Sequence, residues 1–141
     1  MSVDRAVAAL GLGLATALGA AVLAGAVGRS DAPVVVELTI HYSRFEPAAV
    51  RVPAGRSVTF VIHNNDPIDH EWIVGNGALH ERHRRGTEPA HNARPTEISV
   101  EALTERRTTL TFAQPGRFTF ICHLPGHEAY GMTGTVTVTG G

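Results

Sequence analysis

From Val34 onward, apolar and polar residues alternate in short runs divided by turn residues, with the period of a β-strand rather than of a helix. The run 34-VVVELTIHY-42 is rich in branched residues and reads as the first strand. Val50 and Val52 then flank Arg51 ahead of the turn 53-PAGR-56, and in 57-SVTFVIH-63 the residues Val58, Phe60 and Ile62 share one face. The stretch 64-NNDPID-69 is dense in residues that bond their own backbone or fix φ, so a firm turn precedes His70. In an extended segment His70, Trp72 and Val74 point to one side. Strands are predicted again over 96-TEISVEAL-103 and 106-RRTTLTFA-113. Past the turn 114-QPG-116, the run 117-RFTFIC-122 puts Phe118, Phe120 and Cys122 on one face. Finally, 133-TGTVTVT-139 sets Val136 and Val138 inward and threonines outward. Seven to eight short strands with frequent turns predict an all-β, Greek-key β-sandwich. No internal helix is compelling.

Two stretches break the alternation. Ala6 to Val27 is a run of Ala, Gly, Leu and Val with only Thr16 as a polar interruption. Its length suits a membrane-spanning helix, which needs about 20 residues, whereas a secretory signal usually has a shorter apolar region. Its weakly hydrophobic composition and the small-x-small form of Ala24-Gly25-Ala26 suit a cleaved signal. Both readings stand, and both imply export to the periplasm or the exterior, with a membrane tether through residues 6–27 under one of them. A lipid anchor is excluded, because no cysteine lies near the N-terminus. The chain therefore divides into residues 1–30, a hydrophobic helix acting as signal peptide or N-terminal membrane anchor, and a domain over residues 31–141. The second break, 75-GNGALHERHRRGTEPAHNAR-94, has no apolar periodicity and reads as a long, solvated surface loop. The alternative for this loop is a second, weaker metal site or a docking patch, formed by His80, His83 and His91 beside Arg82, Arg84 and Arg85. No pair of these histidines has a diagnostic spacing.

Length and charge narrow the class. The chain has 141 residues, room for one domain of about a hundred residues behind a short N-terminal segment. With 12 basic against 13 acidic residues there is no basic field to attract nucleic acid. The single cysteine, Cys122, cannot form an intramolecular disulfide, so it needs another explanation.

That explanation lies in 120-FICHLPGHEAYGM-132, where four residues separate Cys122 from His127 and four more separate His127 from Met132. One loop between two strands thus presents a thiolate, an imidazole and a thioether, a ligand set that suits copper when a second imidazole joins it. His70 is the best candidate for that second imidazole. Zinc accepts one cysteine and two histidines as well, but the methionine favours copper.

These residues resemble the cupredoxins, the type 1 blue copper proteins such as plastocyanin, azurin and rusticyanin. The Cys-x4-His-x4-Met loop looks most like the longer-loop members, and 45-FEPAAVRVPAGRSVTFVIHNND-66 looks like the first half of such a domain, so that the likeness runs from Val34 to Thr139. The resemblance implies one copper ion cycling between Cu(I) and Cu(II), held by His70, Cys122 and His127 with Met132 as the long axial ligand. It also implies electron exit through the ring edge of His127, inside an apolar docking patch around Leu124, Pro125, Tyr130 and Gly131. The protein is then a monomeric electron carrier between a redox donor and a redox acceptor, with no catalytic role; a copper-binding or delivery protein is the alternative. Glu71 departs from the family pattern, in which asparagine often follows the first histidine. His123 has opposite strand parity to Cys122 and is expected to face away from the copper, while Ile121 rules out the His-Cys-His run of multicopper oxidases.

Overall fold

A computed structural model of the chain describes residues 32–86, 91 and 93–140. The segment for which a signal peptide or anchor helix is expected, residues 1–30, lies outside the described residues. The described residues form nine strands and one helix: β1 (Val34–His41), β2 (Arg44–Glu46), β3 (Ala49–Pro53), β4 (Ser57–Asn64), β5 (His70–Gly75), α1 (Gly77–Arg84), β6 (Glu97–Val100), β7 (Glu105–Thr111), β8 (Gly116–Ile121) and β9 (Thr133–Thr139). One sheet has the order β2-β1-β4-β7 and the other β3-β9-β8-β5-β6. The chain passes back and forth between the sheets, so β1 runs parallel to β4 and β3 parallel to β9, while the remaining pairs are antiparallel. This is the expected sandwich.

The alternation read from the sequence fills the space between the sheets. Leu38, Ile40, Val58, Phe60 and Ile62 from one sheet meet Val52, Trp72, Val74, Phe120, Val136 and Val138 from the other. Each such fully buried side chain contributes about 1.5–3 kcal/mol relative to exposure. Trp72 lies against Phe60, with ring centroids 4.7 Å apart, and 6.2 Å from Phe120. Gly134 on β9 is required by this packing: a Cβ there would stand 2.2 Å from the Phe120 ring and 2.7 Å from the Ala48 carbonyl oxygen.

Two elements differ from the sequence reading. The short strand β2 is an addition; its three residues carry one apolar side chain, Phe45, too few to show a period. It turns back from β1 through Tyr42 and Ser43, both left-handed at φ 50° and 53°. The second difference is a correction. The stretch expected to be a solvated loop contains helix α1, begun by Asn76, whose side-chain oxygen accepts from the Leu79 amide at 3.1 Å. Arg82, His83 and Arg84 in its last turn suit the negative end of the helix dipole, and Gly86 at φ 70° follows it. The helix escapes a search for apolar periodicity because the side chains it buries are His80 and His83.

Candidate metal centre

His70 opens β5 and Cys122 follows the last residue of β8, so two of the predicted ligands are fixed by adjacent strands of one sheet. The other two sit on the loop that joins β8 to β9. This loop is knotted back on itself by backbone bonds: the His127 amide donates to Leu124 O at 3.0 Å, Met132 to His127 O at 3.0 Å and Cys122 to Met132 O at 3.2 Å. Gly126 and Gly131 take left-handed φ of 83° and 88°, which an L side chain adopts only with strain. The fold thereby brings together His70 Nδ1 and His127 Nδ1 at 3.2 Å, and His127 Nδ1 and Cys122 Sγ at 3.2 Å. The three donor atoms lie within 4.8 Å of one another. Cys122 and Met132 are fully buried, His70 is 1% exposed, and His127 alone is half-buried at the rim.

Neighbouring groups fix the protonation of this cluster. His70 Nε2 lies 2.9 Å from Asp66 Oδ2, and since a carboxylate only accepts, Nε2 carries the proton and the Nδ1 lone pair faces His127. Asp66 is itself clamped by the amides of Tyr42 and Ser43, each at 2.8 Å, so the turn between β1 and β2 and the histidine share one carboxylate. Burial alone would raise the Asp66 pKa, but the bonds from Ser43, Tyr42 and His70 outweigh it and hold the carboxyl below its ordinary range. Asn64 braces the same turn, accepting from the Asp66 amide at 3.0 Å and donating to the Ile68, Val100 and Glu101 carbonyls. Burial lowers the His70 pKa and keeps the ring neutral, as a metal ligand must be. Burial likewise pushes the Cys122 thiol up to about 11, opposed by the amides of Glu71 and Leu124 that point at the sulfur.

A thiol and two imidazoles with convergent Nδ1 atoms, next to a buried methionine, form a donor set that fits copper. The family model for copper binding proteins of the plastocyanin/azurin family matches residues 33–139. The chain belongs to that family. Among relatives of this cupredoxin, the copper-resistant cuproprotein CopI of Rubrivivax gelatinosus is 35% identical over 98 residues, 67% of this chain and 59% of that protein. The cuproprotein of the same name from Pseudomonas aeruginosa is 27% identical over 136 residues, 73% of this chain and 75% of its own. The chain thus spans less than two thirds of the first relative's length and three quarters of the second's. Of solved structures, the blue copper protein auracyanin A from Chloroflexus aurantiacus matches with a TM-score of 0.62 at 25% identity, over 77% of this chain and all of that one.

The geometry of this cupredoxin also shows what the sequence reading missed. Asp66 and Asn64 were legible only as turn formers, although Asp66 stands four residues before His70, close enough to reach its ring. The departure at Glu71 is resolved by the backbone: its amide donates to Cys122 Sγ at 3.3 Å, while strand alternation sends the side chain to the other side of the sheet. There Glu71 Oε1 meets His91 Nε2 at 3.2 Å. His123 also turns away from the cysteine, with Nε2 2.9 Å from His80 Nδ1 and its ring stacked on His83 at 5.3 Å. In the expected docking patch Tyr130 is 76% exposed and Pro125 and Gly131 are exposed, whereas Leu124 packs against the core.

Proposed function

We propose that this cupredoxin carries single electrons between redox partners outside the cytoplasm, with His70, Cys122 and His127 as the copper ligands and Met132 as the weak axial one. The observation that carries the reading is the convergence of one thiol and two imidazole Nδ1 atoms within 4.8 Å in a buried pocket of the sandwich. Copper, when bound, supplies the one-electron step between Cu(II) and Cu(I). The chain's own residues keep the rearrangement small. His70 and Cys122 are held by paired strands and by Asp66 and the Glu71 amide, and His127 and Met132 by the backbone bonds of their loop. Since the thiol is held near 11, its proton leaves when metal arrives, and the two amides directed at the sulfur then favour the thiolate. His127, the one ligand at the rim, is the electron's exit, and exposed Tyr130 beside it belongs to the docking surface. The protein is a carrier and not an enzyme, and the run Ala6–Val27 serves its export, as a cleaved signal or a retained tether.

The test is the visible spectrum of the full chain loaded with Cu(II), beside Cys122→Ser. An intense blue absorption that disappears in the variant is expected; a weak spectrum indifferent to Cys122 overturns the assignment. The names of the two cuproprotein relatives favour a second reading, copper handling without a redox-carrier role. Electron self-exchange, measured by NMR on mixed Cu(I) and Cu(II) samples, separates the two: rapid exchange fits the carrier, and slow exchange with ready release of Cu(I) to a chelator fits delivery.

A further inference from the structure

The outer side of the five-stranded sheet holds a second group of imidazoles. His83 lies on α1, His91 lies in the connection that follows, and Glu97 opens β6; they are 7%, 8% and 3% exposed. One ligand atom from each of the three lies within 4.8 Å of the other two. We propose that these three residues form a second metal site, distinct from the copper centre, for a divalent cation of the zinc class.

The outer partners decide which nitrogens are available. His83 Nδ1 is 2.9 Å from the Leu79 carbonyl oxygen, and His91 Nε2 is 3.2 Å from Glu71 Oε1. Both partners only accept, so each of those nitrogens carries the ring proton, and in the neutral rings the opposite nitrogens are lone pairs. Those are the inward atoms. His83 Nε2 and His91 Nδ1 are buried and have no hydrogen-bond partner among the described residues. They stand 3.6 Å and 3.9 Å from Glu97 Oε2, beyond hydrogen-bond range. A buried imidazolium paired with a carboxylate closes to about 2.7–2.9 Å. By contrast, ligand atoms about 2.0–2.2 Å from one tetrahedral zinc lie roughly 3.3–3.6 Å apart. Arg94 at 3.1 Å and Arg82 at 3.6 Å engage Oε1 of the same carboxylate, leaving Oε2 as its single ligand oxygen. Two imidazoles and one carboxylate, each imidazole oriented by an outer acceptor, form a zinc-type donor set, to which Cu(II) also binds.

The test uses the full chain with copper already in the first site, dialysed against micromolar Zn(II). Bound zinc is measured by elemental analysis, and the blue absorption reports the copper centre in the same sample. One zinc per chain is expected. Uptake should weaken at least about tenfold in His83→Ala and in His91→Gln while the blue absorption persists, as expected when a ligand is lost. Because His83 is on the helix and His91 outside it, a folding defect in one variant leaves the other informative. Absence of zinc from the copper-loaded wild type overturns the proposal in favour of an ion pair. Undiminished uptake by both variants also overturns it, and then points to the exposed pair His63 and Glu37. Neither result bears on the copper assignment, which is read from the colour.

Discussion

Two groups of histidines lie on opposite sides of one sheet, all buried except the rim residue His127, and they differ in what their inward nitrogens confront. On the inner face, His70 and His127 meet a thiol; on the outer face, His83 and His91 meet a carboxylate. Three of the four outward nitrogens are treated alike. Asp66 holds His70, Glu71 holds His91 and the Leu79 carbonyl holds His83, so in each case an acceptor fixes the proton outside and presents a lone pair inside. The inward partner therefore biases the class of ion, towards soft copper at the sulfur and towards borderline ions of the zinc class at the carboxylate. A buried histidine tells little until the group behind it is known.

The sharpest way to break the comparison is Cys122→Ser. Copper affinity should fall by more than the roughly 100-fold that marks loss of an outer partner, while zinc uptake on the far face stays unchanged, both measured by competition with chelators. Loss of both would mean that the two groups are one site. Asp66→Asn comes next: copper affinity should drop about 10–100-fold, because the neutral amide no longer fixes the His70 tautomer. Zinc uptake should again stand still.

Gly75→Ala probes the other side. Its Cβ would stand 2.3 Å from Leu79 Cδ2 and 3.1 Å from Leu79 Cβ, so the leucine must turn and α1 shift by a few tenths of an ångström, at a cost of about 1 kcal/mol in urea unfolding followed by Trp72 fluorescence. Zinc uptake should fall and the blue absorption remain. Acid should act on the same face more gradually. Burial drives the His123 pKa from 6.5 to about 4 and lowers that of His80, so both are neutral in the fold. Between about 4 and 6.5 the unfolded chain binds more protons, so this stability is complete above pH 6.5 and is lost as pH falls towards 4. A urea midpoint of the metal-free protein that stays flat across that window would contradict the burial of these rings. The smallest effect belongs to Arg84→Ala, which removes the 2.6 Å contact with Glu128 that ties α1 to the copper loop. As a partly exposed pair it should contribute no more than about 1 kcal/mol, and less in high salt.

The inner face was legible in the sequence and the outer face was not. Alternation at Val58, Phe60 and Ile62, or at Phe118, Phe120 and Cys122, records burial through apolar residues, and three rare ligand types at fixed spacing made the copper loop stand out. Helix α1 buries imidazoles instead. Glu71, Glu97 and His91 are brought together only by the pairing of β5 with β6 and by the path of the chain between them. The signals present, Asn76 as a cap and Gly86 past the end, mark the ends of a helix but not its partner. Asp66 was hidden for a related reason: its role depends on the turn after β1, which reaches it from the neighbouring strand of the same sheet.

The last strand in chain order is not at an edge. β9 lies between β3 and β8, with Ala49 paired to Thr135 and Phe120 to Gly134, so until it arrives one strand lacks its only neighbour and another lacks one of two. The ligand loop, anchored at one end by that strand, cannot settle earlier. Assembly must therefore close a long loop before most of the sheet's pairing is rewarded, the situation that places β-sandwiches among slow folders, on a scale of about milliseconds to seconds. The other sheet can pair without β9, whereas the metal-ready pocket is among the last features to form.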